Sequence, residues 1–244
     1  MRSNDLVQRS VNHFRWLTFP VLEEYNFVVS GFMVKNRVPF DGKALKPGIF
    51  FKNITRPARP VISLKQVHQD ECVIITSRGK LKKRYRGDAI LTNRKDILIS
   101  IQVADCVPIF LVEEKRKVIG LIHAGWKGTL LGIARRTMEE ARDRLDCKPA
   151  NFTVVFGPCI RSCCYRVSDD ISVLFDEKCT RRPVRSEVRL DLIRANMQQF
   201  LNCGVKEDRI FATANCTGCN AELFHSYRRE KENAGRMTGF LGLK

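Results

Sequence analysis

The stretch that most constrains the fold of this chain is residues 97–129, ILISIQVADCVPIFLVEEKRKVIGLIHAGWKGT, where three apolar, β-branched runs carry reactive side chains only at their ends. Runs 97–103, 107–112 and 118–122 read as buried strands, the last two joined across the charged turn 113–117. Cys106 lies in the interruption between the first two runs, and His123 ends the third. Pairing across the turn brings the Cys106 end beside the His123 end. Gly125, Trp126 and Gly128 then lead into an amphipathic helix. A strand end followed by glycines and a helix start is where folds present side chains and free backbone N–H groups to ligands. By themselves, though, a cysteine and a histidine at strand ends belong to the core more often than to chemistry.

A second histidine changes that balance. His68, in KQVH, closes the apolar entry 61–64, and the chain has 4 His in all. Two imidazoles and a thiol at strand ends match a three-ligand metal site whose fourth position is left to water. These donors suit zinc, and they also suit a single copper acting as a polyphenol oxidase. A metal-free cysteine hydrolase with Cys106 as nucleophile and His123 or His68 as base is the rival reading, but it needs only one imidazole. Multicopper chemistry needs more histidines than the chain has.

KQVH, ADCVP, LIHAGWKGT, GPCI with CCYRV, and FHSYRRE with a following GR occur in this order between His68 and Leu243. Together they resemble the laccase-domain, polyphenol oxidase-like proteins, which are zinc-dependent purine nucleoside phosphorylases. The resemblance implies zinc held by His68, Cys106 and His123. It also implies phosphorolysis of adenosine, inosine and methylthioadenosine to free base and ribose 1-phosphate, with adenosine deamination as a side reaction. Two places depart from the family pattern: SGFMVKNRVPFDGKAL stands where relatives carry a longer Gly-rich segment, and Arg166 stands where they more often carry Glu. The H-x-E signature of cytidine-deaminase-type enzymes is also missing, because Gly125 follows His123 by two positions. A proton shuttle must then come from elsewhere, and Asp105 is the expected group. Phosphorolysis needs donors to hold phosphate, which places Arg228, Arg229 and Arg236 of SYRREKENAGR on the phosphate side as expected contacts.

The chain carries 43 Lys plus Arg against 26 Asp plus Glu, a formal charge of +17, concentrated in clusters 78–86 and 181–185. Such a field attracts anions of any kind. No RNA-binding or helix-turn-helix motif accompanies it, so the clusters read as solvated faces and specific nucleic-acid binding is not expected. Ten cysteines without an export-like pattern read as reduced thiols. Cys163 and Cys164 are adjacent while Cys216 and Cys219 form CxxC, a spacing that argues against a closed four-cysteine zinc site and leaves a redox role open. Nothing approaches the roughly 18 apolar residues of a membrane span, and the expected location is the cytoplasm.

Leu130, Ala134, Met138, Ala141 and Leu145 fall on one helical face, and Leu190, Ile193, Met197, Phe200 and Leu201 on another that stops at Gly204. A short helix over 169–175 capped by Ser168 is expected, as are strands over 27–33, 72–76, 152–156 and 210–214. Residues 1–21 lack a clear period, and 36–54 read as loop. Strands and helices interleave without strict βαβ alternation and no linker composition divides the chain. The expected fold is α+β: a single layered domain over 1–244 with mixed β-sheets and outer helices.

Overall fold

The computed structural model describes residues 2–3, 5–11, 14–35, 59–76, 81–82 and 84–244. His13, the loop 36–54 with most of the departing Gly-poor segment, and Arg78, Gly79, Lys80 and Lys83 of the first basic cluster lie outside the described residues.

The described strands form two seven-stranded sheets and a small three-stranded one, and the fold is α+β. The first sheet runs, in spatial order, Arg2–Ser3, Ile210–Ala212, Phe152–Phe156, Val107–Glu113, Val118–Ala124, Ala89–Thr92 and Cys72–Ile75. The second runs Val7–Val11, Phe14–Thr18, Val28–Met33, Met237–Leu243, Leu98–Val103, Val61–Lys65 and Arg84–Arg86. Both mix parallel and antiparallel pairs: Val107–Glu113 is antiparallel to Val118–Ala124, whereas Val61–Lys65 is parallel to Leu98–Val103.

The strands Val107–Glu113 and Val118–Ala124 are buried at every position, because both faces of the first sheet are covered. Successive side chains point to opposite faces, so Ile109 and Leu111 join a core under the helices Ile133–Leu145 and Leu192–Asn202. Phe110 and Val112 join a second core instead, packed with Ile99, Ile101, Leu241 and Leu243 of the other sheet. The layers are therefore helices, first sheet, second sheet.

Three local expectations change. The apolar face that begins at Leu130 does not run through one helix: Gly132, at φ 89°, ends Trp126–Leu131 and starts Ile133–Leu145, which leaves Leu130 and Leu131 exposed. Leu190 closes the strand Glu187–Leu190, and the helix after it begins at Asp191, whose carboxylate accepts from the Arg194 N–H. The helix after Ser168 is a single turn, Asp169–Ser172, without a side-chain cap bond. Residues 7–18 contain a hairpin, Val7–Val11 with Phe14–Thr18, at an edge of the second sheet.

Candidate metal centre and its cleft

The hairpin register puts Pro108 opposite His123 and Val107 opposite Ala124, so Cys106 and His123 meet at the same end of the first sheet. His68 reaches them from the turn after Val61–Lys65, in the second sheet. The three donor atoms all lie within 4.8 Å of one another, with Cys106 Sγ 4.0 Å from His68 Nε2 and the two imidazole rings nearly perpendicular, 4.7 Å between centroids. His123 is buried, Cys106 half-buried and His68 exposed, so the cluster opens to solvent on one side. Donors at this separation, on an open face, fit a single metal ion with a vacant fourth direction.

Two of the backbone positions are forced. His68 and Asp105 have φ of 59° and 86°, the left-handed region that non-glycine residues rarely adopt. Gly125, at the strand-to-helix turn, is required by space: a Cβ there would lie 3.1 Å from both Cys106 Sγ and His68 Cδ2. Where cytidine-deaminase-type enzymes carry a glutamate, this chain leaves room for its own donors.

Asp88 organises the centre and is fully buried. Its Oδ1 lies 2.8 Å from His123 Nδ1, and the carboxylate also accepts the backbone N–H groups of Val67, His68 and Gln69. Burial pushes the Asp88 carboxyl up, but the His123 bond and the amides of Gln69 and Val67 outweigh it and hold it below its ordinary value. A hydrogen bond at Nδ1 leaves His123 Nε2 as the nitrogen open to a metal. Burial likewise pushes the Cys106 thiol up, yet the neighbouring His123 and His68 imidazoles bring it down below its ordinary value. Asp88 escaped the sequence reading, although an acidic residue just before the wholly buried strand Ala89–Thr92 was a usable signal.

The centre floors a cleft of about 700 Å³. Gln66, Trp126, Lys127, Tyr165, Arg228 and Arg236 line it. Arg228 stacks over the Tyr165 ring, 5.3 Å from its centroid. Arg229 is absent from this lining: its guanidinium donates to the carbonyls of Thr217, Gly218 and Phe224 and to Glu230. Asp105 lies beside Cys106, but its carboxylate already accepts Thr217 Oγ1 at 2.6 Å, Ser226 Oγ at 3.0 Å and the Arg228 N–H at 2.6 Å. It thus ties the Cys106 turn to the C-terminal segment that carries Arg228. The structure gathers His68, Asp105, Cys106, His123, Arg228 and Arg236 around one cleft, with the Asp105 oxygens spent on structural bonds and Arg236 Nη1 donating to the Ala234 and Gly235 carbonyls, and it turns Arg229 away.

Residues 48–244 match the family model described as multi-copper polyphenol oxidoreductase laccase. The chain belongs to that family. Relatives of this laccase-family chain include the purine nucleoside phosphorylase YlmD of Bacillus subtilis, 29% identical over 73% of this chain and 69% of its own length. The purine nucleoside phosphorylase SSP1584 of Staphylococcus saprophyticus is 35% identical over 72% of this chain and 71% of its own length. The crystal structure of YlmD from Geobacillus stearothermophilus matches with a TM-score of 0.85 at 26% identity, covering 98% of this chain and 100% of that one. The family description speaks of several coppers, but this laccase-family member has 4 His in total, and its cleft gathers one three-donor centre. No helix among the described residues is long and apolar enough to cross a membrane.

Proposed function

We propose that the protein is a zinc-dependent purine nucleoside phosphorylase acting on adenosine, inosine and methylthioadenosine, with adenosine deamination as a side activity. The observation that carries this reading is the centre of two imidazoles and one cysteine sulfur at the floor of a nucleoside-sized cleft, in a chain whose relatives are named purine nucleoside phosphorylases. When bound, zinc supplies Lewis-acid polarisation of a substrate oxygen or a water of lowered pKa. His68, Cys106 and His123 hold it, and Asp88 fixes the His123 tautomer. Arg228 and Arg236 hold phosphate on the cleft side, offering donors where negative charge must be kept against the ribose. Asp105 acts by positioning, since its oxygens are engaged by Thr217, Ser226 and Arg228. The inter-sheet core supports treating 1–244 as one working domain.

Incubation with adenosine or inosine and phosphate should release free base and ribose 1-phosphate, and Cys106→Ala should abolish both reactions. A specific observation favours one rival, the placing of Cys106 Sγ within 4.8 Å of a His123 ring nitrogen, which is also what a cysteine hydrolase needs. If nucleosides stay intact while an ester or amide is cleaved, and iodoacetamide blocks that cleavage stoichiometrically, the hydrolase reading replaces this one. Metal analysis of protein purified without added metal separates zinc from copper.

A further inference from the structure

The adjacency of Cys163 and Cys164 reads in sequence as unfit for a four-cysteine site, yet the fold gathers Cys163, Cys164, Cys216 and Cys219 with all sulfurs within 4.8 Å of one another. The reason is local. After the strand Phe152–Phe156 the chain turns at Arg161, whose carbonyl accepts the N–H groups of both Cys164 and Tyr165. That turn directs two neighbouring side chains toward the same partner: Cys219 Sγ lies 3.5 Å from Cys163 Sγ and 3.3 Å from Cys164 Sγ, with 3.8 Å between the latter two. The fourth sulfur, Cys216, accepts the Arg161 N–H at 3.4 Å. A tetrahedral tetrathiolate with metal–sulfur bonds of about 2.3 Å has sulfur–sulfur edges of roughly 3.8 Å. The three separations among Cys163, Cys164 and Cys219 are near that value, Cys216 Sγ lies within 4.8 Å of each, and Cys219 is shared between two partners where a single disulfide would select one.

Two further features point to a bound cation with a negatively charged ligand set. Gly218, inside the CxxC turn, is required by close approach, since a Cβ there would lie 2.8 Å from Cys164 Cβ and 3.0 Å from its Sγ. Four guanidinium groups surround the cluster on its own backbone. Arg189 donates to the Cys163 carbonyl, Arg181 to that of Ser162, Arg161 to that of Thr213, and Arg229 to those of Thr217 and Gly218. Four thiolates and one divalent ion leave a net charge of minus two; Arg189 and Arg229 are already paired with Glu187 and Glu230, so Arg161 and Arg181 are the cations that offset it.

We propose that Cys163, Cys164, Cys216 and Cys219 form a second, structural zinc site that clamps the segment after Phe152–Phe156 to the segment after Ile210–Ala212. Cys163 and Cys219 are exposed, which gives the ion an entry path. The clamp bears on the cleft: Ile160 and Tyr165 flank the first cysteine pair and line the cleft, and Thr217, between the second pair, donates to Asp105. A closed set of four protein thiolates has no open position and carries no catalytic role.

The test is metal stoichiometry on the full chain, purified under reducing conditions and loaded with zinc. Wild type is expected to hold two zinc ions per chain. A Cys106→Ala, His123→Ala variant should keep one, and a Cys163→Ser, Cys219→Ser variant should also keep one while retaining the metal of the cleft. Cobalt substitution of the Cys106→Ala, His123→Ala variant should give the visible spectrum of a tetrahedral tetrathiolate, which reads the site without a cysteine variant that could fail to fold. One zinc in wild type with none left after Cys106→Ala, His123→Ala overturns the proposal. So does failure of the four thiols, once reduced, to take up zinc, or iron in place of zinc.

Discussion

Asp88 and His123 are joined twice at the candidate centre: Asp88 Oδ1 meets His123 Nδ1 at 2.8 Å, and the Asp88 carbonyl accepts the His123 backbone N–H at 2.7 Å. One residue therefore sets both the ring and the main chain of a candidate ligand, and its remaining acceptor capacity fixes the turn that carries His68. Asp88→Asn is expected to lower metal affinity at the cleft by about 10- to 100-fold. Competition against a zinc chelator measures this, and unchanged affinity would remove Asp88 from the centre.

Gly125→Ala places a methyl group 3.1 Å from Cys106 Sγ and His68 Cδ2. The backbone φ at Gly125 is −77°, open to any residue, so the effect comes from crowding alone. Metal occupancy should fall while the fold persists, at a stability cost of about 1–3 kcal/mol. Metal analysis together with thermal unfolding separates the two effects.

Arg228→Lys and Arg236→Lys keep charge but lose the planar fork, and should raise the phosphate KM with deamination nearly unchanged. Arg229→Lys should instead lower stability, by about 1–3 kcal/mol, because three carbonyls and Glu230 lose their shared donor. Equal KM shifts for all three would contradict the division of labour drawn from the structure.

Burial pushes the Glu230 carboxyl up, but Arg229, His225 and Lys35 together bring it down to about 2. Its folded value is thus below the unfolded one, near 4.5. The stability it contributes is complete above about pH 4.5 and is lost as pH falls toward 2. Glu230→Gln should therefore destabilise the protein at neutral pH, with the gap to wild type narrowing as pH drops below 4.5 in urea unfolding. A gap constant with pH would assign the loss to packing.

The central hairpin was legible because strands covered on both faces are apolar without interruption, and its turn dictates that Cys106 and His123 meet. The N-terminal hairpin was not, because Val7–Val11 lies on a sheet edge and the side chains of residues 7–10 are exposed. The break at Gly132 was hidden by apolar spacing that continues across it. Arg228 and Arg229 are neighbours in sequence, and only the bonds of Arg229 to Thr217, Gly218 and Phe224 tell them apart. Asp88 and the cysteine cluster depend on contacts between segments far apart in the chain, which composition and spacing do not encode.

The strand Val107–Glu113 gives alternate side chains to two cores, Leu111 toward the helices and Phe110 toward the second sheet. Neither layer can loosen without exposing apolar surface of the other, so the two behave as one cooperative unit. Calorimetry should then show a single heat-absorption peak whose van't Hoff and calorimetric enthalpies agree. Leu111→Ala and Phe110→Ala, on opposite faces of one strand, should shift that peak without splitting it.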